Sequence, residues 1–137
     1  MAGLERPRIL MVDDDPVVLD AVRRQLHPHF DITTATSGSQ ALSLVMSKGP
    51  FAVVVSDLRM PGMDGVTLLY LIRQTAPDTV RILLTGGADV ESAAMAVNDG
   101  NVFRLLLKPC PRGMLLRALE ASIELYQANT AKHFAHP

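Results

Sequence analysis

Short apolar runs alternate with amphipathic stretches along the chain. Ile9–Val12, Asp31–Thr34, Ala52–Ser56, Val80–Leu84 and Phe103–Leu107 are each four or five residues long. Runs of this length, separated by helical periodicity, predict βαβ units and a parallel sheet. The first intervening helix should open at Asp15-Pro16, a capping residue followed by proline, with Val18, Val22 and Leu26 on one face and His27-Pro28 as its stop. The second runs from about Ser39 through Leu42 and Val45 to Lys48-Gly49-Pro50. A third carries Val66, Leu69 and Ile72 and stops before Pro77.

The stretch Asp89–Asn98 offers only Val90, Ala93, Ala94 and Val97 to an inner side, so this helix should bury little area and be loosely anchored. The last helix starts near Arg112 and shows Leu115, Leu116, Leu119, Ile123 and Tyr126 at helical spacing. Residues 127–137 have no clear apolar period and read as a frayed helix end or the start of a linker. One domain over residues 1–126, followed by a short tail, is the expected organisation.

Composition narrows the classes without naming one. At 137 residues, 48% hydrophobic and 20% charged, the chain suits a globular domain and argues against disorder. A formal net charge of −1 gives no field to draw nucleic acid or an anionic membrane. Cys110 is the single cysteine, which excludes an intramolecular disulfide and a cysteine-based metal cluster and fits a reducing cytoplasm. Four apolar residues follow the charged start before three aspartates, and no run approaches the ~20 residues of a membrane span, so neither secretion nor membrane insertion is expected. His27, His29, His133 and His136 have no metal-ligand spacing and read as exposed and silent, and Cys110 reads as a packing residue.

The chemistry is concentrated at the ends of the apolar runs. Asp57 closes Phe51-Ala52-Val53-Val54-Val55-Ser56 and is followed by Leu58-Arg59-Met60-Pro61-Gly62-Met63-Asp64-Gly65. Open α/β sheets place reactive groups at that strand end. Asp13 and Asp14 end the first run; beside Asp57 they would raise one another's pKa unless a cation held them ionised. Oxygen-only ligands on a partly open surface suit Mg²⁺, whereas Asp15 before Pro16 reads as a helix cap. Thr85 and Lys108 stand at the ends of the last two runs, a hydroxyl and an ammonium of the kind a phosphoryl group on Asp57 would need. Pro109 admits a cis peptide bond that would aim Lys108 inward.

These motifs, Val12-Asp13-Asp14-Asp15-Pro16, Asp57 to Gly65, Leu84-Thr85-Gly86 and Lys108-Pro109, stand in order from about Arg8 to Tyr126, and with them the chain resembles the receiver domain of bacterial two-component response regulators. The resemblance implies a flavodoxin-like doubly wound five-stranded parallel sheet, strand order 2-1-3-4-5, with helices on both faces. It implies that Asp57 accepts a phosphoryl group from the phosphohistidine of a sensor histidine kinase or from a phosphotransfer protein. By the same resemblance Asp13, Asp14, Asp57 and the main-chain carbonyl of Arg59 hold Mg²⁺, and Thr85 and Lys108 contact the phosphoryl oxygens. Phosphorylation would then alter an effector-binding or homodimerising surface. The only enzymatic activity expected is phosphorylation from a donor and its reversal.

One position departs from the family pattern. Many receivers carry Tyr or Phe three residues before the lysine, where this chain has Leu105; Phe103 lies two residues earlier on the same strand face. The stretch Phe103 to Cys110 also resembles receivers that precede cyclic-dinucleotide phosphodiesterase domains. Two other functions compete. A HAD-like aspartyl-phosphate phosphatase or phosphotransferase would share the nucleophile and Mg²⁺, but it would carry an acid two residues after the nucleophile, where Arg59 stands. A receiver-like module working without phosphorylation would be expected to have lost one of Asp13, Asp14, Asp57, Thr85 and Lys108, and all five are present. The chain stops soon after its last helix, which leaves a stand-alone regulator or an excised domain as the two expectations.

Overall fold

The computed structural model describes residues 6–135. Residues 1–5, His136, Pro137 and the side chains of residues 133–135 lie outside the described set, and so do the readings that fall on them. Five strands form one parallel sheet in the order β2-β1-β3-β4-β5: β1 Arg8–Val12, β2 Asp31–Ala35, β3 Val53–Asp57, β4 Val80–Thr85 and β5 Arg104–Leu107. The flavodoxin-like arrangement is thus present, with strand bounds shifted by a residue here and there from the apolar runs.

Five α-helices alternate with the strands: α1 Pro16–Leu26, α2 Gly38–Lys48, α3 Gly65–Thr75, α4 Val90–Asn98 and α5 Arg112–Ala135. Alternation of side chains along the strands divides the interior into two cores. Leu10, Val12, Val54 and Leu83 face α2, α3 and α4, whereas Ile9, Met11, Val53, Val55, Ile82 and Leu106 face α1 and α5. Strands apolar on both faces are what a parallel sheet with helices on each side requires.

Three helices begin on a side-chain cap. Asp15 accepts from the Val17 amide, Ser37 from Gln40 and Asp64 from Thr67. The Asp15 carboxylate therefore serves α1. Several inner faces are rotated from expectation: α1 buries Leu19 and Leu26 with Val22 half-buried, and α4 buries Ala93 and Ala96 while Val90 is exposed. The final helix does not end at Tyr126. It continues to Ala135, held by polar contacts rather than an apolar stripe: Asn129 Nδ2 donates to the Asp78 carbonyl at 3.1 Å and Thr130 Oγ1 to the Tyr126 carbonyl at 3.1 Å.

Candidate functional site

Parallel strands end level with one another, and the loops after β1, β3, β4 and β5 bring their residues to one point. Asp57 pairs in register with Leu84, Thr85 follows Leu84, and Thr85 pairs with Leu107, which Lys108 follows. The Lys108 amide donates to the Thr85 carbonyl at 2.8 Å, tying the last two strand ends together. The Lys108–Pro109 peptide bond is cis.

Carboxylate oxygens of Asp13, Asp14 and Asp57 lie within 4.8 Å of one another. Asp13 is buried, Asp57 partly buried and Asp14 exposed, so the cluster grades from interior to solvent. Lys108 Nζ stands 3.0 Å from Asp13 Oδ2 and 3.2 Å from Asp57 Oδ1. Its single positive charge is shared between two of the three carboxylates. Asp13 Oδ1 is engaged by the Asp15 amide at 3.0 Å, and Asp57 Oδ1 by the Leu58 amide at 2.9 Å.

Burial pushes the Asp57 carboxyl above its ordinary value; the pull of Lys108 opposes this and the neighbouring Asp13 adds to it. For Lys108 burial works against the ammonium, but Asp13 and Asp57 outweigh it and hold the group above its usual range. A carboxylate whose charge is disfavoured until a cation arrives is a common arrangement at reactive sites.

The donor set fits a hard divalent cation. Every side chain in the cluster presents oxygen, one face is open to solvent, and the spread of the carboxylate oxygens is compatible with the roughly 2.1 Å bonds of octahedral Mg²⁺ after small side-chain adjustment. Thr85 is buried at the end of β4.

The loop from Leu58 to Asp64 is shaped by two glycines. Gly62 has φ +78°, in the left-handed region. Gly65 donates its amide to the Leu58 carbonyl at 2.9 Å, and a Cβ there would stand 2.2 Å from the Asp57 carbonyl oxygen. Only glycine lets α3 start so close to the strand that ends in Asp57.

Arg59 does not extend over the site. Its Nε donates to Asp89 Oδ1 at 3.0 Å and its Nη2 reaches the same oxygen, joining the loop after β3 to the start of α4. That hydrogen bond holds the Asp89 carboxyl below its usual range and raises Arg59. Asp89 was readable only as a helix-start residue; its partner lies 30 positions away, and the one signal was an arginine and an aspartate each close behind a site strand.

Phe103 lies just before β5, at the end of the strand remote from Lys108, with the Arg104 guanidinium 5.2 Å from its ring. Leu105 packs partly buried against the core beneath α4. Phe103 is thus exposed, whereas Leu105 packs inward.

A response regulator receiver domain family model matches residues 9–120. Among curated proteins, the chain is 34% identical over 116 residues to the hydrogenase transcriptional regulatory protein HoxA of Cupriavidus necator, covering 85% of this chain and 24% of that protein. It is 34% identical over 125 residues to the DNA-binding transcriptional regulator NtrC of Escherichia coli, covering 90% and 26%. The chain spans about a quarter of the length of these relatives.

Among solved structures, one titled as an adenylate cyclase from Rhodopirellula baltica matches with TM-score 0.92 at 40% identity, over 95% of this chain and 96% of that one. The signal receiver domain of an HD domain-containing protein from Pseudomonas fluorescens matches with TM-score 0.86 at 38% identity, over 93% of each chain. With the fold, the strand-end cluster and the family match in agreement, the chain belongs to the receiver domains of two-component response regulators.

Proposed function

We propose that this receiver is a phosphorylation-dependent switch: Asp57 takes a phosphoryl group from the phosphohistidine of a sensor kinase or phosphotransfer protein, and the adduct changes a surface read by an effector. The observation that carries the reading is the Asp57 carboxylate, 3.2 Å from the Lys108 ammonium and clustered with Asp13 and Asp14. In the transfer, an Asp57 oxygen bonds to phosphorus while the bond from phosphorus to the donor nitrogen breaks. The product is an acyl phosphate, and the leaving imidazole keeps its electron pair.

Asp13, Asp14, Asp57 and the Arg59 carbonyl would hold Mg²⁺, which supplies positive charge to the phosphoryl oxygens when bound. Lys108 supplies a second positive charge and orients Asp57, and the Thr85 hydroxyl donates to a phosphoryl oxygen. Reversal needs water at phosphorus and returns Asp57 as carboxylate with inorganic phosphate released. Arg59 stands where a small-molecule phosphotransferase would need a general acid, and a guanidinium paired with Asp89 cannot donate a proton at neutral pH.

The relatives' names join this kind of domain to transcriptional regulators and to an HD domain-containing protein, so the switch rather than a particular output is what they support here. No described helix is long and apolar enough to cross a membrane. A cytoplasmic site of action is part of the proposal.

Acetyl phosphate with Mg²⁺ tests the assignment by intact mass. One phosphoryl group should add to the wild type and none to Asp57→Ala. Equal labelling of both proteins would overturn it.

A further inference from the structure

The start of α4 differs from the starts of α1, α2 and α3. Asp89 occupies the N-cap position, where an aspartate ordinarily accepts from the second or third amide of its helix, yet it makes no such bond. Arg59 takes the carboxylate instead. Asp89 therefore has two competing partners, the guanidinium across the loop and the amides of its own helix.

Each partner is linked to the phosphoryl site. Arg59 is two residues past Asp57, and Asp89 is four past Thr85. A phosphoryl group brings about −1.5 to −2 charge and oxygens that suit a guanidinium fork, so it competes with Asp89 for Arg59. Asp89 closes a short 3₁₀ turn over Gly87–Asp89, its amide donating to the Gly86 carbonyl at 3.3 Å, and a Cβ at Gly86 or Gly87 would meet nothing within 4 Å, so neither glycine is packed closely against the rest of the fold. Beyond it α4 is held in the core by Ala93 and Ala96, and an open groove of about 570 Å³ lined by Leu58, Met60, Val66, Met95 and Ala96 leaves it room to move.

Resting on the phosphorylation reading above, we infer that Asp89 is a positioning residue whose pairing with Arg59 is a latch: it holds the guanidinium off Asp57 in the resting protein, surrenders it to the phosphoryl group, and then caps α4. One event at Asp57 thus both steadies the phosphoryl group and resets the first turn of α4. The latch is exposed on its Arg59 side, with 79% of that side chain accessible against 14% for Asp89, so it is weak enough to be exchanged.

The test combines phosphorylation kinetics with amide exchange on the full chain. Asp89→Asn should accept phosphate from acetyl phosphate about two- to fivefold faster, the scale of a partly exposed ion pair. Arg59→Ala should not be faster than wild type, and the double variant should match Arg59→Ala, because the gain requires a freed guanidinium. Without donor or metal, Arg59→Ala should slow exchange at the Glu91 and Ser92 amides as Asp89 turns to cap them.

A rate gain from Asp89→Asn that survives in the Arg59→Ala background would overturn the latch, as would unchanged exchange at Glu91 and Ser92 in Arg59→Ala. Wild type that labels at Asp57 with Asp89→Asn behaving identically sinks the latch alone. Wild type that never labels sinks the phosphorylation reading and the latch with it.

Discussion

Helices α3 and α4 start from equivalent places, each in the loop after a strand that ends in a site residue, and they are held in opposite ways. α3 buries Leu68, Leu69 and Ile72 completely, its cap Asp64 accepts from the Thr67 amide at 2.8 Å, and Gly65 presses its start against the Asp57 carbonyl. α4 buries Ala93 and Ala96, and its cap residue is engaged elsewhere. Full burial of a leucine or isoleucine stabilises by about 1.5–3 kcal/mol, against roughly 0.8 kcal/mol for a methyl-sized group. α3 is a fixed wall of the site. α4 is an element that a small free-energy change can move.

Truncation is the strongest way to break that contrast. Leu69→Ala in α3 should destabilise the protein by about 2–5 kcal/mol, with a cavity under the sheet. Ala93→Gly in α4 should lose less, about 1.5–2 kcal/mol, from helix propensity and the buried methyl together. Urea unfolding measures both. Equal losses would mean α4 is as firmly held as α3 and that the comparison fails.

A second test concerns the charge at the end of β3, against whose carbonyl α3 starts. Because the folded Asp57 carboxyl lies above its ordinary value, chiefly through burial, the folded state binds this proton more tightly than the unfolded chain. The stability attached to it is full below the unfolded value of 3.8 and is lost as pH rises through the folded one. In metal-free protein at pH 7, Asp57→Asn should therefore melt slightly higher than wild type, with the gain shrinking as pH falls towards 4. Thermal melts across that range check it. An Asn variant less stable at neutral pH would show that Lys108 outweighs burial.

Much of this organisation was legible in the sequence, for a physical reason. A parallel strand buried on both faces reads as a short apolar run, so the ends of the runs marked Asp13, Asp57, Thr85 and Lys108 before any coordinates, and the structure brings them together. The facing of α4 was legible only in part: Ala93 and Val97 pack against the core as read, whereas Ala96 was not among the inner residues expected and Val90 was. Ala93, Ala94, Ala96 and Val97 give little contrast around the helix, and the turn chosen from sequence put Val90 inside where it is 38% exposed. The reach of α5 was legible only as one of two readings, a frayed helix end or a linker, because Asn129 and Thr130 hold it through hydrogen bonds, which leave no apolar period. The Arg59–Asp89 pair joins residues 30 apart through loop geometry, and only the folded chain reveals it.

The smallest expected effect sharpens how α4 is read out. Leu105 lies partly buried on β5 and, like Val97, packs against the core that includes Ala93 and Ala96. A leucine there packs but offers neither a ring nor a hydroxyl to exchange between an inner and an outer position, so any signal from Thr85 reaches α4 through its own loop. Leu105→Tyr adds such a two-position group on the edge strand β5, where a ring can turn to solvent. Its resting stability should stay within about 0.5 kcal/mol of wild type. The beryllofluoride-induced change in amide exchange over Val90–Asn98 should grow, while exchange in α3 stays as it was. If the α4 response is unchanged with tyrosine in place, β5 takes no part in the coupling, and the Arg59–Asp89 pair and the loop from Thr85 to Asp89 carry it.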